Sequence, residues 1–263
     1  MWGELPDLDD ILFGLAFILG TIVLSLLIYA AARRIAGNDV PPRHREMAGT
    51  MVVRIGALHA LILALVFAQE MVDYQKLRSE TATEVNAIAD VYNDAARYGA
   101  VVQVPIQQAL SRYVGIVVEK EWHSLGTTGE LAQEAWNAWE EAYDLVLDII
   151  PTSLRETSLR DHMLADIHAI SESRSLREGD RADSLAGMFW FAAIAGVILI
   201  AIGHYVYPPE RHVLVLLSLF SAYTGIILFL IYGFSNPYRP PAGLPPGAFE
   251  RFQQEIAVPA NTP

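Results

Sequence analysis

The chain has 263 residues, 53% of them hydrophobic, with a positive mean hydropathy and a formal charge of −12. Those values conflict in one soluble globule and agree when apolar and charged residues are segregated along the chain. With no cysteine, disulfides, iron–sulfur clusters, thiolate zinc sites and cysteine nucleophiles are excluded, and so acidic a chain lacks the clustered Lys and Arg that hold nucleic acid.

Crossing a hydrocarbon layer takes roughly 20 predominantly apolar residues. Four stretches pass that test: 11–31, 51–68, 185–206 and 213–234. The first and last contain no charged residue, the third only His204, and the second contains Arg54 and His59. Backbone polar groups find no water in lipid, so such runs must be helical. The expected fold is an all-α membrane protein in the lipid bilayer. It comprises a transmembrane hairpin over 1–68, a helical extramembrane domain over 69–184, a second hairpin over 185–234 and a tail over 235–263. A secretory signal needs a positive leading region. The residues before the first run carry Glu4, Asp7, Asp9 and Asp10 with no Lys or Arg, so the first run is read as a retained span.

Orientation follows the Lys and Arg of short loops. Arg33, Arg34, Arg43 and Arg45 lie between the first two spans against Asp39 and Glu46, and Arg211 lies beside Glu210 between the last two. That count puts both short loops in the cytoplasm, with the central domain and both termini outside.

Residues 69–184 hold ten Lys or Arg against twenty-one Asp or Glu, a net charge of −11, so this segment supplies the protein's field. Its apolar spacing is helical throughout. Met71, Leu77, Val85, Ile88, Val91 and Tyr92 carry the second span onward to about Tyr98, where Gly99 stops it. A second helix is expected to start at Pro105, a favoured first-turn residue, with Ile106, Leu110, Tyr113, Val114 and Val117 on one face. Thr127 and Glu130 suggest a capping box for a third, bearing Leu131, Trp136, Trp139, Tyr143 and Val146. Ser153 and Glu156 form another box for a fourth, which carries Leu154, Leu159, Met163, Ile167 and Ile170 and runs on into the third span. The two long and two shorter helices make a bundle around the aromatic residues. The proline-rich tail reads as an extended strap or a disordered end, with one amphipathic stretch around Phe249 and Phe252.

No catalytic constellation stands out: the sequence has no Gly-rich phosphate loop, no His-Glu-x-x-His pair and no nucleophile elbow. His162 and Asp166 share a helix face near His168, but such a pair is common on exposed helices. The expectation is therefore no enzyme, no metal and no cofactor.

The second span is more informative. Gly56, Ala60, Ala64 and Ala68 form a small-residue stripe that lets another helix approach. His59, Ile62, Val66, Glu70, Asp73 and Leu77 fall within about 80° of one another on the same helix. In a ring of copies, His59, Ile62, Val66, Glu70 and Asp73 would line a path with an apolar constriction followed by acidic rings, an arrangement that favours cations. The competing reading places Glu70 and Asp73 at the water interface, with His59 packed inside its own chain.

The string GALHALILALVFAQEMVDY at the span exit, SETATEVNAIADVYNDAARY with Glu84 and Tyr92, VVEKEW, and the tail FSNPYRPPAGLPPGAFERF occur in this order. In them the chain, from about Arg54 to Ile256, resembles a family of bacterial membrane proteins described as bestrophin-like. The resemblance implies a homo-oligomer such as a pentamer in a bacterial plasma membrane, its second spans lining a central path for inorganic ions near Ile62, Val66 and Glu70. Bestrophins keep their helical domain in the cytosol, opposite to the side the Arg count assigns here. No calcium-clasp cluster carries over, so calcium gating is not expected. Two functions follow from the sequence: an oligomeric, cation-preferring channel or pore, or a membrane-anchored sensor, adaptor or assembly subunit through which no ion passes.

Overall fold

Gly99, with φ +147°, breaks a helix that otherwise runs without interruption for 57 residues. The computed structural model describes residues 8–37, 41–182 and 186–257, with side chains except at positions 42, 178–182 and 186. Glu4, Asp7 and Asp39 of the orientation count, the junction into the third span at Leu185, and tail residues 258–263 lie outside the described residues.

Every regular element among the described residues is helical. In chain order they are α1 (Leu8–Ala36), α2 (Pro42–Tyr98), α3 (Ala100–Ile116), a π-helical turn (Val117–Glu121) and α4 (Trp122–Thr127). There follow α5 (Gln133–Leu147), α6 (Leu154–Ala182), α7 (Ala186–Gly203) with a 3-10 turn (His204–Val206), α8 (Arg211–Phe234) and α9 (Gly247–Ala257). Four of these stretches, α1, α2, α7 with its 3-10 turn, and α8, are long and apolar enough to cross a membrane. Each contains the run expected from the sequence, within the described residues.

The chain divides into two compact units. The first holds residues 1–72, 184–235 and 240–242. In it α1 lies along α8, and the contact is close because Gly225 has no side chain. A Cβ there would stand 3.0 Å from Ile18 Cα and 3.1 Å from Thr21 Oγ1, the small-residue packing that brings apolar helices together. The hydroxyls along this seam are satisfied within their own helices: Thr21 donates to Phe17 O at 2.8 Å and Ser221 to Leu217 O at 2.8 Å. Leu63 of α2, Phe189 and Ala193 of α7, and Leu228 and Ile231 of α8 form a buried cluster. Arg33 donates to Tyr205 O at 3.1 Å and Tyr207 O at 2.7 Å, and Tyr29 Oη donates to Tyr207 O at 2.9 Å. The cation that served as an orientation marker thus satisfies carbonyls just after α7.

The second unit holds residues 73–183, 236–239 and 243–263. Its core takes Leu77, Ile88 and Val91 from α2, the expected face of α3, and Met163, Ile167 and Ile170 from α6. Several local expectations are corrected. Pro105 does not open a helix; α3 starts at Ala100 directly after the Gly99 break, and Pro105 sits inside it. Thr127 ends α4, its hydroxyl donating back to His123 O at 2.9 Å, and the N-cap position of α5 is Ala132, with no side-chain cap hydrogen bond. α5 begins after Ala132, whose N–H donates to Glu121 Oε2 at 2.9 Å. The fully buried face of α5 is Ala135, Ala138, Ala142 and Val146, because small residues let it approach α3, while Trp136, Trp139 and Tyr143 flank that seam half-buried. The Ser153 cap forms, accepting from Glu156 N–H at 3.2 Å, but the Glu156 carboxylate reaches the Thr152 N–H at 2.6 Å. Leu154 is 91% exposed rather than part of the α6 core face.

Through residue 257 the tail is a strap and not a disordered end. Asn236 Nδ2 donates to Gly126 O at 3.0 Å, Trp122 Nε1 donates to Leu244 O at 2.7 Å, and Tyr238, Phe249 and Phe252 are buried in the core of this unit.

Candidate functional site

The stretch of α2 singled out by its periodicity divides in the folded chain. His59 is buried, its ring so close to Gly196 of α7 that a Cβ at 196 would overlap it. Val66 is half-buried against the Leu63 cluster, and Glu70 is half-buried. Ile62 is 40% exposed and Asp73 is exposed, so these two lie on the open edge of the line. Leu77 is fully buried in the second unit. Of the small-residue stripe, Gly56, Ala60 and Ala64 border a cleft shared with α8, and Ala68 is exposed.

The second unit contains a constellation that sequence reasoning missed. Glu84 of α2, Glu121 of the π-helical turn, and Arg174 and Arg177 of α6 all have 0% exposure. Arg177 Nη2 donates to Glu84 Oε1 at 3.0 Å and to Glu121 Oε1 at 3.1 Å. Arg174 Nη2 donates to Glu121 Oε2 at 2.5 Å and to Ala132 O at 2.9 Å. Tyr113 of α3 donates its phenolic proton to Glu84. Around the ions stand aromatic faces: Arg174 lies 4.6 Å from the Trp136 ring centroid, and Arg177 lies 5.4 Å from that of Phe249 and 5.8 Å from that of Trp122. Tyr238 closes the group by donating to Arg177 O at 3.1 Å. Two guanidiniums and two carboxylates balance, which is the condition under which buried charge is tolerated.

Burial raises the pKa of Glu84 despite the opposing pull of Arg177 and Tyr113, and burial together with the Glu84 charge holds the Tyr113 phenol protonated. Burial works against the charge on Arg177, but Glu84, Tyr113 and Glu121 outweigh it and raise its pKa.

Helix register accounts for each position. Leu77, Thr81, Glu84, Ile88, Val91 and Ala95 recur at alternating four and three along α2, and Met163, Ile167, Ile170, Arg174 and Arg177 do the same along α6. Each charge thus occupies a core position of its helix. On α3 the same count runs Ile106, Leu110, Tyr113, Val117 and would next select Lys120. The π-helical turn inserts one extra residue, Glu121 takes the inward position, and Lys120 stays exposed, paired with Glu134 at 3.1 Å. The strings VVEKEW, SETATEV and FSNPYRPP, separated widely in sequence, therefore meet at one buried cluster.

Among the described residues no group of three or more His, Asp or Glu is arranged to hold a metal ion. His168 Nδ1 lies 2.7 Å from Leu164 O. Burial, and after it the neighbouring Asp90 charge, raises the pKa of Asp166.

The bestrophin-like domain family matches residues 19–249 of the chain, which spans α1 through the first residues of α9. No protein of curated function and no solved structure matches it.

Proposed function

The chain belongs to the bestrophin-like family, and from that premise we propose that it is an oligomeric ion-conducting membrane protein in which α2 of each copy lines the path. The observation that carries this reading is the open edge of α2, where Ile62 is 40% exposed and Asp73 is exposed. Val66 and Glu70 stand half-buried behind them on the same line. In a ring of copies, Ile62 and Val66 form an apolar constriction that gates by dewetting, and Glu70 and Asp73 form acidic rings that select cations. His59, packed on α7, holds the helix in place instead of facing the path. The second unit lies in water as a helical domain inserted between the second and third spans, on the outer side of a bacterial plasma membrane by the Arg count of the short loops.

Purified protein in planar bilayers tests this. Glu70→Gln is expected to lower cation preference and Ile62→Ala to raise conductance; unchanged currents in both variants reject the pore. A mass measurement in native lipid is expected to give a closed ring, such as a pentamer.

A second reading, a membrane-anchored adaptor with no transport, is favoured by one observation. Val101, Ile150 and Leu154 of the second unit are 90%, 85% and 91% exposed, an unusual concentration of bare apolar side chains for a water-exposed domain. A monomer or dimer in native lipid favours that reading.

A further inference from the structure

Arg54 stands inside the apolar run of α2 and is exposed on the surface of the helix. Among the described residues its guanidinium has no hydrogen-bond or ion-pair partner. Counting roughly 20 residues back from Gln69, the first polar residue after the run, places the edge of a hydrocarbon layer of about 30 Å near Gly49. The Arg54 backbone is then about 7 Å inside that edge. Its side chain leans toward the helix N-terminus and carries the charge back up to the boundary, the depth of lipid phosphates.

A charge at that depth calls for an opposite one. The spans do not supply it: residues 11–31, 51–68, 187–206 and 213–234 contain no Asp or Glu. A second copy in the same membrane carries the same spans the same way up, and has no acid to offer there either. The nearest acid along α2, Glu46, lies about 12 Å toward the N-terminus and about 80° around the helix.

The residues in line with Arg54 show what does fit. Arg43, Met47, Thr50, Leu58, Leu61 and Leu65 fall within about 40° of it on either side, and all are exposed. On the membrane side of the guanidinium the row is bare leucine for about 16 Å. On the other side Thr50 spends its proton on Glu46 O at 3.1 Å, and Arg43 stands about 16 Å nearer water. We infer that this face of α2 seats an anionic glycerophospholipid, its phosphate on Arg54 and one acyl chain along Leu58, Leu61 and Leu65. Arg43 sets the headgroup preference, because a choline or ethanolamine head turns its ammonium toward that second cation and a glycerol head does not. The row lies about 40° around the helix from Ile62, the nearest residue of the path line. The seat therefore requires that α2 cross the membrane and does not depend on ion conduction.

The test uses the full-length protein, delipidated in a neutral detergent and titrated with phosphatidylglycerol or with phosphatidylcholine of the same chains, bound lipid being counted by native mass spectrometry. Phosphatidylglycerol is expected to bind at least about fivefold more tightly, the scale of one cation at an anionic surface. Arg54→Gln is expected to weaken phosphatidylglycerol by about the same fivefold factor, and Arg54→Lys to keep most of the affinity, since an ammonium still holds a phosphate as a point charge. Arg43→Gln is expected to narrow the preference between the two lipids about threefold, a change that loss of fold would not produce. Equal binding of the two lipids by the parent overturns the assignment, as does phosphatidylglycerol binding unchanged in Arg54→Gln. Lipid found on single chains but not on assembled copies does so too, since the face would then be a contact between copies. If Arg54→Gln fails to fold, Arg43→Gln and the lipid pair decide.

Discussion

Arg177 and Glu84 are 93 positions apart in sequence, yet Arg177 Nε stands 2.9 Å from Glu84 Oε2 with both side chains fully buried. Because Arg177 also holds Glu121, one guanidinium ties α2 and the π-helical turn to α6. Arg177→Met leaves the buried Glu84 carboxylate without its cation and Glu121 with Arg174 alone, and the expected loss is roughly 3–5 kcal/mol in urea unfolding followed by near-UV circular dichroism. Arg177→Lys is expected to lose nearly as much, since an ammonium cannot fork between two acids. Combining Arg177→Met with Glu84→Gln should cost less than the sum of the single changes.

The tail strap depends on Trp122, whose indole N–H donates to Leu244 O and whose ring meets Tyr238 and Phe249 edge-on at 5.2 and 6.1 Å. Trp122→Phe keeps most of the packing and drops the hydrogen bond, leaving Leu244 O without that donor. A loss of about 1 kcal/mol is expected, together with faster limited proteolysis between Pro245 and Gly247. Equal cleavage rates in the variant and the parent would mean the strap is held by its other contacts without help from this hydrogen bond.

Glu156 has its pKa lowered, first by the Thr152 N–H and then by the Thr152 hydroxyl. A carboxyl depressed in the folded state adds stability above its unfolded value, about 4.3, and loses it as pH falls through the folded value. The urea midpoint of the parent should therefore drop on going from pH 5 to pH 3 by more than that of Glu156→Gln. Parallel pH profiles would show that this cap does not contribute.

At the α1–α8 seam, Gly225→Ala sets a methyl group against the Ile18 backbone, which cannot swing aside as a side chain can. A cost of about 1–3 kcal/mol is expected from overpacking, read as a lower unfolding midpoint in mild detergent. Gly20→Ala, on the same α1 but with nothing within 4 Å of the added carbon, is the control and should not lower the midpoint.

The helical class, the four apolar runs and the stop at Gly99 were legible because each follows from composition or backbone freedom within one segment. The α5 start was not, since its cap is supplied by Glu121 from another element and leaves no local mark at Ala132. The ion cluster was half-legible. Arg174 and Arg177 continue the spacing of Met163, Ile167 and Ile170, and Glu84 sits between Leu77 and Ile88 in core register. Charge at such positions reads as the edge of an apolar face until its partners are known, and Glu121 gave no such signal because a regular α-helix points Lys120 inward. Within the α2 line, spacing alone could not tell Ile62, on the open edge, from His59, turned into α7, because the difference is made by where α7 crosses.

The π-helical turn makes the local winding of the backbone a determinant of charge in the centre of the second unit. Swapping Val118 or Glu119 for another residue alters a flank, and deleting either one removes the extra residue so that a regular helix still brings Glu121 inward; straightening the turn at full length instead brings Lys120 there. Three cations would then face one anion out of reach of water. The wider winding thus accommodates one residue more than a regular helix would, without surrendering the buried carboxylate.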